Sequence, residues 1–584
     1  MVINKLKNNK NIFVFYSVIF LVFSSLYYSD FLNSGPVNNH MWRQTDCLSL
    51  TRNYAEGASF FEPEMDLLLA KNFESGKTAG EFPIIYYTIG KLWKWFGESY
   101  LTYRLSYLIL LYFGLLYFLK SLIIIFKNPI WALFFTLLMF TAPVLVVYGV
   151  SFLTDAPAFC FSLIALYHFI RYTQFHKQKH LVFSMLFFSL VGLLKISNLI
   201  SFVFIVCIFF IELLKIPTID NRFVFKKNIT EFSLIASVIV VNFLWYNYAE
   251  KYNSIYQFKY TFNSIHPFWL MKSDEIQNLF TDLFNFPLVV FFSKTVLIVS
   301  FLAFIINLFL YKKIPLFAYF ANIIITIGCI IYFLLWMPLM GVHDYYYIAL
   351  LIWIPSTLIP LTYYLINYRP QIFNNKYTFL LMLLFLTYNL TYEYNVVELR
   401  KTQQNLKKLI IGNKHFVDFM KWTNWDFNNK WQKYIDVKEN LKQLGVNRND
   451  RFISLNDNSL NTSLFLMNVR GWTNYLNYSK KEDILELIER GKANYLIFEE
   501  KAELPAGWIA RVVDHEIILE DASGKEQAKY AKPVFSDTPL HQHDHGDEQN
   551  HVEREIVGLY DLSQDGRIIT IKTKVPVAWL KSSE

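Results

Sequence analysis

His40-Met41-Trp42-Arg43-Gln44-Thr45-Asp46 opens a polar stretch that runs on through Arg52-Asn53-Tyr54 and Gly80-Glu81-Phe82-Pro83 to Arg104. Apolar runs long enough to cross a bilayer flank it, at about 11–28 and 103–126. A plain connection between two helices needs only a few residues, and this one is about ten times longer. It places carboxylates, arginines and tryptophans side by side at a membrane surface, the make-up of a working face rather than a linker.

Outward from that stretch, apolar runs recur from Ile12 to Tyr392 and then stop. Spanning helices are expected at roughly 11–28, 103–126, 130–149, 156–173, 181–195, 196–214, 231–248, 286–311, 314–336, 345–366 and 376–393, about eleven in all. The composition agrees: of 584 residues 54% are hydrophobic and only 17% charged, too few charges to solvate the surface of a large soluble enzyme. The run from 181 to 214 is too long for one helix, and Lys195-Ile196-Ser197-Asn198 interrupts it. Reading that break as a tight turn keeps the basic loops on one side; a single tilted helix with a snorkelling lysine would reverse every later loop.

In that register Lys127, the Arg171 to Lys179 cluster, Arg222 with Lys226 and Lys227, Lys312 with Lys313, and Arg369 with Lys376 share the side of the basic N-terminus. The net charge of +8 thus follows membrane topology and does not indicate nucleic-acid binding. Lys5, Lys7 and Lys10 precede the first apolar run without a small-residue cleavage site, as expected of a retained first helix with its basic end in the cytoplasm. The 40–104 stretch then lies outside.

Beyond residue 395 the chain changes character. Arg451 to Leu455 reads as a strand, Lys481 to Arg490 as a helix, Ala493 to Phe498 as a second strand, and Arg511 to Leu519 and Arg567 to Val575 as further strands. The expected architecture is an all-α polytopic domain over residues 1–395, with interfacial helices in its 30–102 loop, and a small α/β domain over 396–584 on the outer side. Cys47, Cys160, Cys207 and Cys329 offer no disulfide framework to that domain.

Several residues have the chemistry of a site. Cys47, Leu50, Tyr54 and Ala58 recur at helical spacing, which predicts a short helix along the membrane with Asp46 at its N-terminus. There the helix dipole and Arg43 would keep Asp46 ionised as a base or ligand, or Asp46 would simply cap the helix. Glu81 stands just before Pro83 and a helix over Ile84 to Phe96, again in reach of a capping role. Asp155, in Thr154-Asp155-Ala156-Pro157 at the mouth of a spanning helix, is either functional or a third cap. Lys195, Arg104, Arg52 and the group His343, Tyr345 and Tyr347 form a cationic and hydrogen-bonding set suited to a phosphate at the lipid surface. His266, in His266-Pro267-Phe268-Trp269, is a candidate ligand or a structural histidine, and His541, His543, His545 and His551 read as a solvated tract.

The run Trp42 to Asp46, with Arg52-Asn53, Pro63, Glu81-Phe82-Pro83, Arg104, Asp155-Ala156-Pro157, Lys195 and the tyrosines near Tyr345, resembles the GT-C class of membrane glycosyltransferases. The resemblance covers about residues 10–390 and is strongest to the bacterial branch related to dolichyl-phosphate-mannose protein mannosyltransferases and the aminoarabinose transferase ArnT. It implies a polyprenyl-phosphate (undecaprenyl-phosphate) sugar donor, a lipid, glycan or protein acceptor, and inverting transfer at the periplasmic face of the bacterial inner membrane. It also implies an essential aspartate, here Asp46, and a divalent metal (Mg, Mn or Zn) at Glu81 with His266. Phe82 stands where ArnT-like sequences carry a lysine, which shifts the phosphate contact to Lys195 or Arg104. The rival classes are a lipid or sugar flippase, which would show inverted repeats and midplane charges, and a scaffold that displays the C-terminal domain.

Overall fold

The computed structural model of the chain describes residues 9–37, 40–70, 73–219, 222–226, 229–257, 265–373, 375–401, 413–443, 445–476, 486–487, 490–497, 509–513, 516–520, 526–531, 552–561 and 568–575. The expected 481–490 helix falls mostly, and the His541 to His551 tract wholly, outside the described residues.

Each expected span has a helical counterpart, so the chain is a multi-pass helical membrane protein. Six described helices are long and apolar enough to cross a bilayer, or seven if a bent pair counts as one span, against the eleven expected. The difference has physical causes. The 130–149 run is divided at Thr141-Ala142 because Pro143, at the start of the next helix, has no N–H to continue the first. The 286–311 run is a bent pair: Ser273–Phe291 and Lys294–Phe309 meet at 94°, and the Ser293 hydroxyl caps the second arm. The helices Asp155–Phe175 and Lys376–Lys401 carry Asp155 and Arg171, and Glu393 and Arg400, which lower their hydropathy. The latter continues past the expected domain boundary at 395.

The chain breaks at Lys195, whose extended backbone (φ −161°, ψ 104°) separates Gln178–Leu194 from a 3-10 turn over Ile196–Leu199 and the helix Ile200–Leu213. Small residues let neighbouring helices touch. A Cβ on Gly114 would stand 2.8 Å from that of Cys160, and one on Gly192 2.3 Å from the Asn242 amide. At the bundle end that carries Arg171 and Lys177, buried Glu212 accepts the Val224 and Phe225 N–H groups, at 2.8 and 2.9 Å, and so closes a loop. The helix Asp155–Phe175 is about 30 Å long, so Asp155 lies at the opposite end from those basic residues.

The C-terminal portion begins with the helices Lys414–Asp426 and Gln432–Gln443, joined by a π turn. They lead to β1 (Arg451–Ser454), a helix over Thr462–Met467, β2 (Arg470–Thr473) and β3 (Tyr495–Ile497). After β4 (Ile509–Val513), β5 (Glu516–Glu520) and β6 (Glu526–Ala531), which form an antiparallel sheet of their own, come β7 (Val552–Asp561) and β8 (Ile568–Val575). The five-stranded sheet has the order β2-β1-β3-β7-β8, its first three strands parallel and the rest antiparallel. The short Thr462–Met467 helix supplies the β1 to β2 crossover; it and β2 were not expected from sequence. The open edge of β2 is covered by the first loop: Leu68 N–H donates to Gly471 at 2.7 Å, Gly471 N–H to Asp66 at 3.0 Å, and the Trp472 indole to Leu68 at 2.7 Å.

Candidate active site

The helix that carries Asp46 starts five residues earlier than expected, at Met41, with His40 in the left-handed region before it. Asp46 is therefore no cap, and it lies beyond the first turn, where the dipole acts most. Nor does the helix lie open on the membrane. It is buried on nearly all sides, with Trp42 left exposed, because the C-terminal portion packs over it. In the helix Ile84–Phe96, Tyr86, Ile89 and Trp93 are buried while Trp95 and Phe96 are exposed. Gly90 lets it meet the Met41–Glu56 helix, since a Cβ there would come within 2.7 Å of the Thr51 carbonyl.

Glu81 does not cap its helix either, for it forms a buried ion pair with Arg43. Burial works to raise the Glu81 carboxyl, but Arg43 and then Lys195 outweigh it and hold the group below its ordinary value. Asp155 makes no capping bond and pairs with Lys195 at 3.3 Å. Glu81 and Asp155 are in electrostatic reach of each other and of both cations. Asp46 lies three residues after Arg43, on the same helix face. The Cys47 thiol beside it, pushed up to about 12 by burial above all, also feels Arg43, Glu81 and Asp46. The three carboxylates predicted from sequence thus gather at one end of the bundle with two cations.

Aromatic and imidazole groups close this cluster. Lys195 Nζ stands 4.8 Å from the Tyr346 ring and 5.5 Å from that of Tyr345. His40 packs edge-on to Tyr345 at 4.9 Å and lies 5.3 Å from His343. Burial first, and His40 next, push the His343 imidazole down to about 3, so it is neutral at physiological pH. Behind them Asp344 is enclosed by His40, at 2.9 Å, Tyr148 and Arg400. Asp46 itself receives a 2.6 Å hydrogen bond from the Asn461 amide, which belongs to the C-terminal portion.

Four expected residues sit elsewhere. Arg104 is fully buried between the rings of Phe31 and Phe152, its guanidinium bound to the Ser34, Gly35 and Val150 carbonyls, so it braces loops rather than facing a phosphate. Arg52 holds Glu98 in a bidentate pair and donates to the Phe465 carbonyl, a contact with the C-terminal portion. Tyr347 is buried against Phe291. His266 is exposed, its backbone N–H bound to the Leu335 carbonyl. Among the described residues no three His, Cys, Asp or Glu side chains stand together as metal ligands. Arg43 takes one Glu81 oxygen, and the other, Oε2, has no hydrogen-bond partner among the described residues. His40, Asp344, Tyr148, Arg400 and Asn461 were given no role from sequence; His40, at the head of the polar stretch, and Asp344, within the His343 to Tyr347 group, had a local signal.

No family model matches the chain, and no curated protein matches it in sequence. Solved structures do. ArnT from Cupriavidus metallidurans bound to undecaprenyl phosphate is similar with a TM-score of 0.50 at 11% identity, over 83% of this chain and 93% of that one. The same protein in the apo state gives 0.51 at 10%, over 83% and 93%. The archaeal oligosaccharyltransferase AglB from Archaeoglobus fulgidus reaches 0.49 at 9%, over 84% and 69%. At these identities the likeness to ArnT shows the fold: the chain has the GT-C fold.

Proposed function

We propose that this protein is a membrane glycosyltransferase that takes a sugar from a polyprenyl-phosphate donor and passes it, with inversion, to an acceptor hydroxyl at the periplasmic face. The observation that carries the reading is the meeting of Asp46, Glu81 and Asp155 with Arg43 and Lys195 at one end of the bundle. The undecaprenyl phosphate bound to ArnT supports a lipid-linked donor. The distance of the site from the basic Arg171 to Lys179 end supports the outer face.

Asp46 takes the proton of the acceptor hydroxyl as its oxygen bonds to the anomeric carbon. The bond from that carbon to the phosphate oxygen breaks on the opposite side, and its electron pair leaves with the polyprenyl phosphate. Lys195, kept charged and in place by Asp155, stabilises the growing negative charge, with His343 and Tyr345 as hydrogen-bond donors beside it. Glu81 fixes Arg43 as a second cation of the site. No water-activating carboxylate pair of the glycosidase kind is required.

Asp46→Asn is the test. Transfer of tritiated sugar from synthetic undecaprenyl-phosphate hexoses and pentoses falls by at least about a hundredfold, while thermal unfolding in detergent stays at the wild-type temperature. An Asn variant that turns over normally would remove Asp46 from the mechanism. Movement of the intact donor across liposomes without release of lipid phosphate would point to a flippase.

A further inference from the structure

Asn461 is the first residue before the Thr462–Met467 helix, a position where an asparagine side chain ordinarily caps the helix by accepting one of its free N–H groups. It makes no such bond. Its amide turns away, to Asp46, 415 residues earlier in the chain. Since an ionised carboxylate only accepts, the amide must present its N–H side, and the 2.6 Å contact is a charge-assisted bond. Both side chains are buried, and the Asn461 Oδ1 has no hydrogen-bond partner among the described residues. A buried amide that forgoes its cap and leaves an acceptor unmatched weakens the fold locally, so the geometry is explained by what it does for Asp46.

The loop that holds Asn461 is rigid. Buried Asp457 accepts the N–H groups of Ser459 and Ser463, each at 2.7 Å. The Ser459 hydroxyl accepts Thr462 N–H at 2.9 Å, and the Thr473 hydroxyl ties the Ser459 carbonyl to β2. One residue on, the Thr462 and Thr45 hydroxyls meet at 3.0 Å. The amide therefore reaches Asp46 from a fixed platform.

We propose that Asn461 is a positioning residue for Asp46, and that the C-terminal portion is thereby part of the active site. The inference rests on the role given to Asp46 above. Asn461 fixes the carboxylate rotamer and favours its ionised form, so that the base is unprotonated and aimed when the acceptor arrives.

A lipophilic carbodiimide reacts with protonated carboxyls, so its pH-dependent labelling of Asp46, read by peptide mass spectrometry on the full chain in detergent, follows this proton without any substrate. In Asn461→Ala the labelling midpoint moves up by about one pH unit, and turnover at pH 7 drops about tenfold to a hundredfold. Asn461→Ser, too short to make the bond, does the same if the alanine variant does not fold. In an Asp46→Asn background either change has no further effect on turnover. An unchanged midpoint with normal turnover overturns the inference and leaves the transferase reading intact. An unchanged midpoint with turnover lost also overturns it, since Asn461 would then act on the substrate directly. An active Asp46→Asn enzyme removes the transferase mechanism itself.

Discussion

Arg104 sits between two aromatic rings with its guanidinium bound to three backbone carbonyls, and no lysine can reproduce that fork. Arg104→Lys is expected to cost about 2–4 kcal/mol, read as a lower unfolding temperature in detergent, with the KM for the lipid donor unaltered in the folded fraction. A raised KM at wild-type stability would instead put Arg104 at the phosphate. At this scale the sequence is legible in part. Asp46, Glu81, Asp155 and Lys195 stand out because an isolated charge beside an apolar run needs a reason. Arg104 and Arg52 stand out equally, yet their partners are backbone carbonyls and a glutamate 46 residues away, which no spacing rule reveals. Arg43, expected beside Asp46, pairs with Glu81 because the loop folds the two together.

Gly471 joins the two parts of the molecule. Its φ of +150° and the Phe452 carbonyl, 1.9 Å from where a Cβ would stand, leave no room for a side chain, and its peptide bonds to Asp66 and Leu68. Gly471→Ala is expected to destabilise the docked C-terminal portion by about 2–4 kcal/mol, seen as faster proteolysis between the last spanning helix and β1. A variant as resistant as the wild type would show that the sheet edge does not hold the loop. The spanning helices are legible as elements because apolar length survives any detail of packing. Their breaks at Pro143 and Ser293 are less so, since a proline or a serine inside an apolar run ends a helix only where other contacts satisfy the freed backbone. The Thr462–Met467 helix and β2 are too short for periodicity to register.

Over the whole molecule, the C-terminal portion is bound to the first loop by ion pairs: Arg448 with Glu56 and Asp66, and Arg470 with Glu56 and Glu64. Burial alone would raise the Asp66 carboxyl, but Arg448 and then Arg52 outweigh it and hold it below the usual range. A depressed carboxylate stabilises the fold fully above its unfolded pKa, about 4. That contribution is lost as pH falls through the lower folded value. Asp66→Asn is thus expected to lower stability by about 1–3 kcal/mol at pH 7, and the gap to the wild type should narrow below about pH 4 in thermal unfolding followed by fluorescence. A gap that stays constant with pH would mean that Asp66 acts by shape alone. The end of the apolar runs is legible in the sequence, whereas the seating of the C-terminal portion on the loop is not, because each ion pair joins residues hundreds of positions apart.

The 415 residues between Asp46 and Asn461 also set an order of events during synthesis. At about 5–20 residues per second, the ribosome needs about 20–80 seconds to travel from one to the other. Throughout that interval the nascent chain has Asp46 without the amide that bonds to it. The contact between them closes only after the far end of the polypeptide has been made.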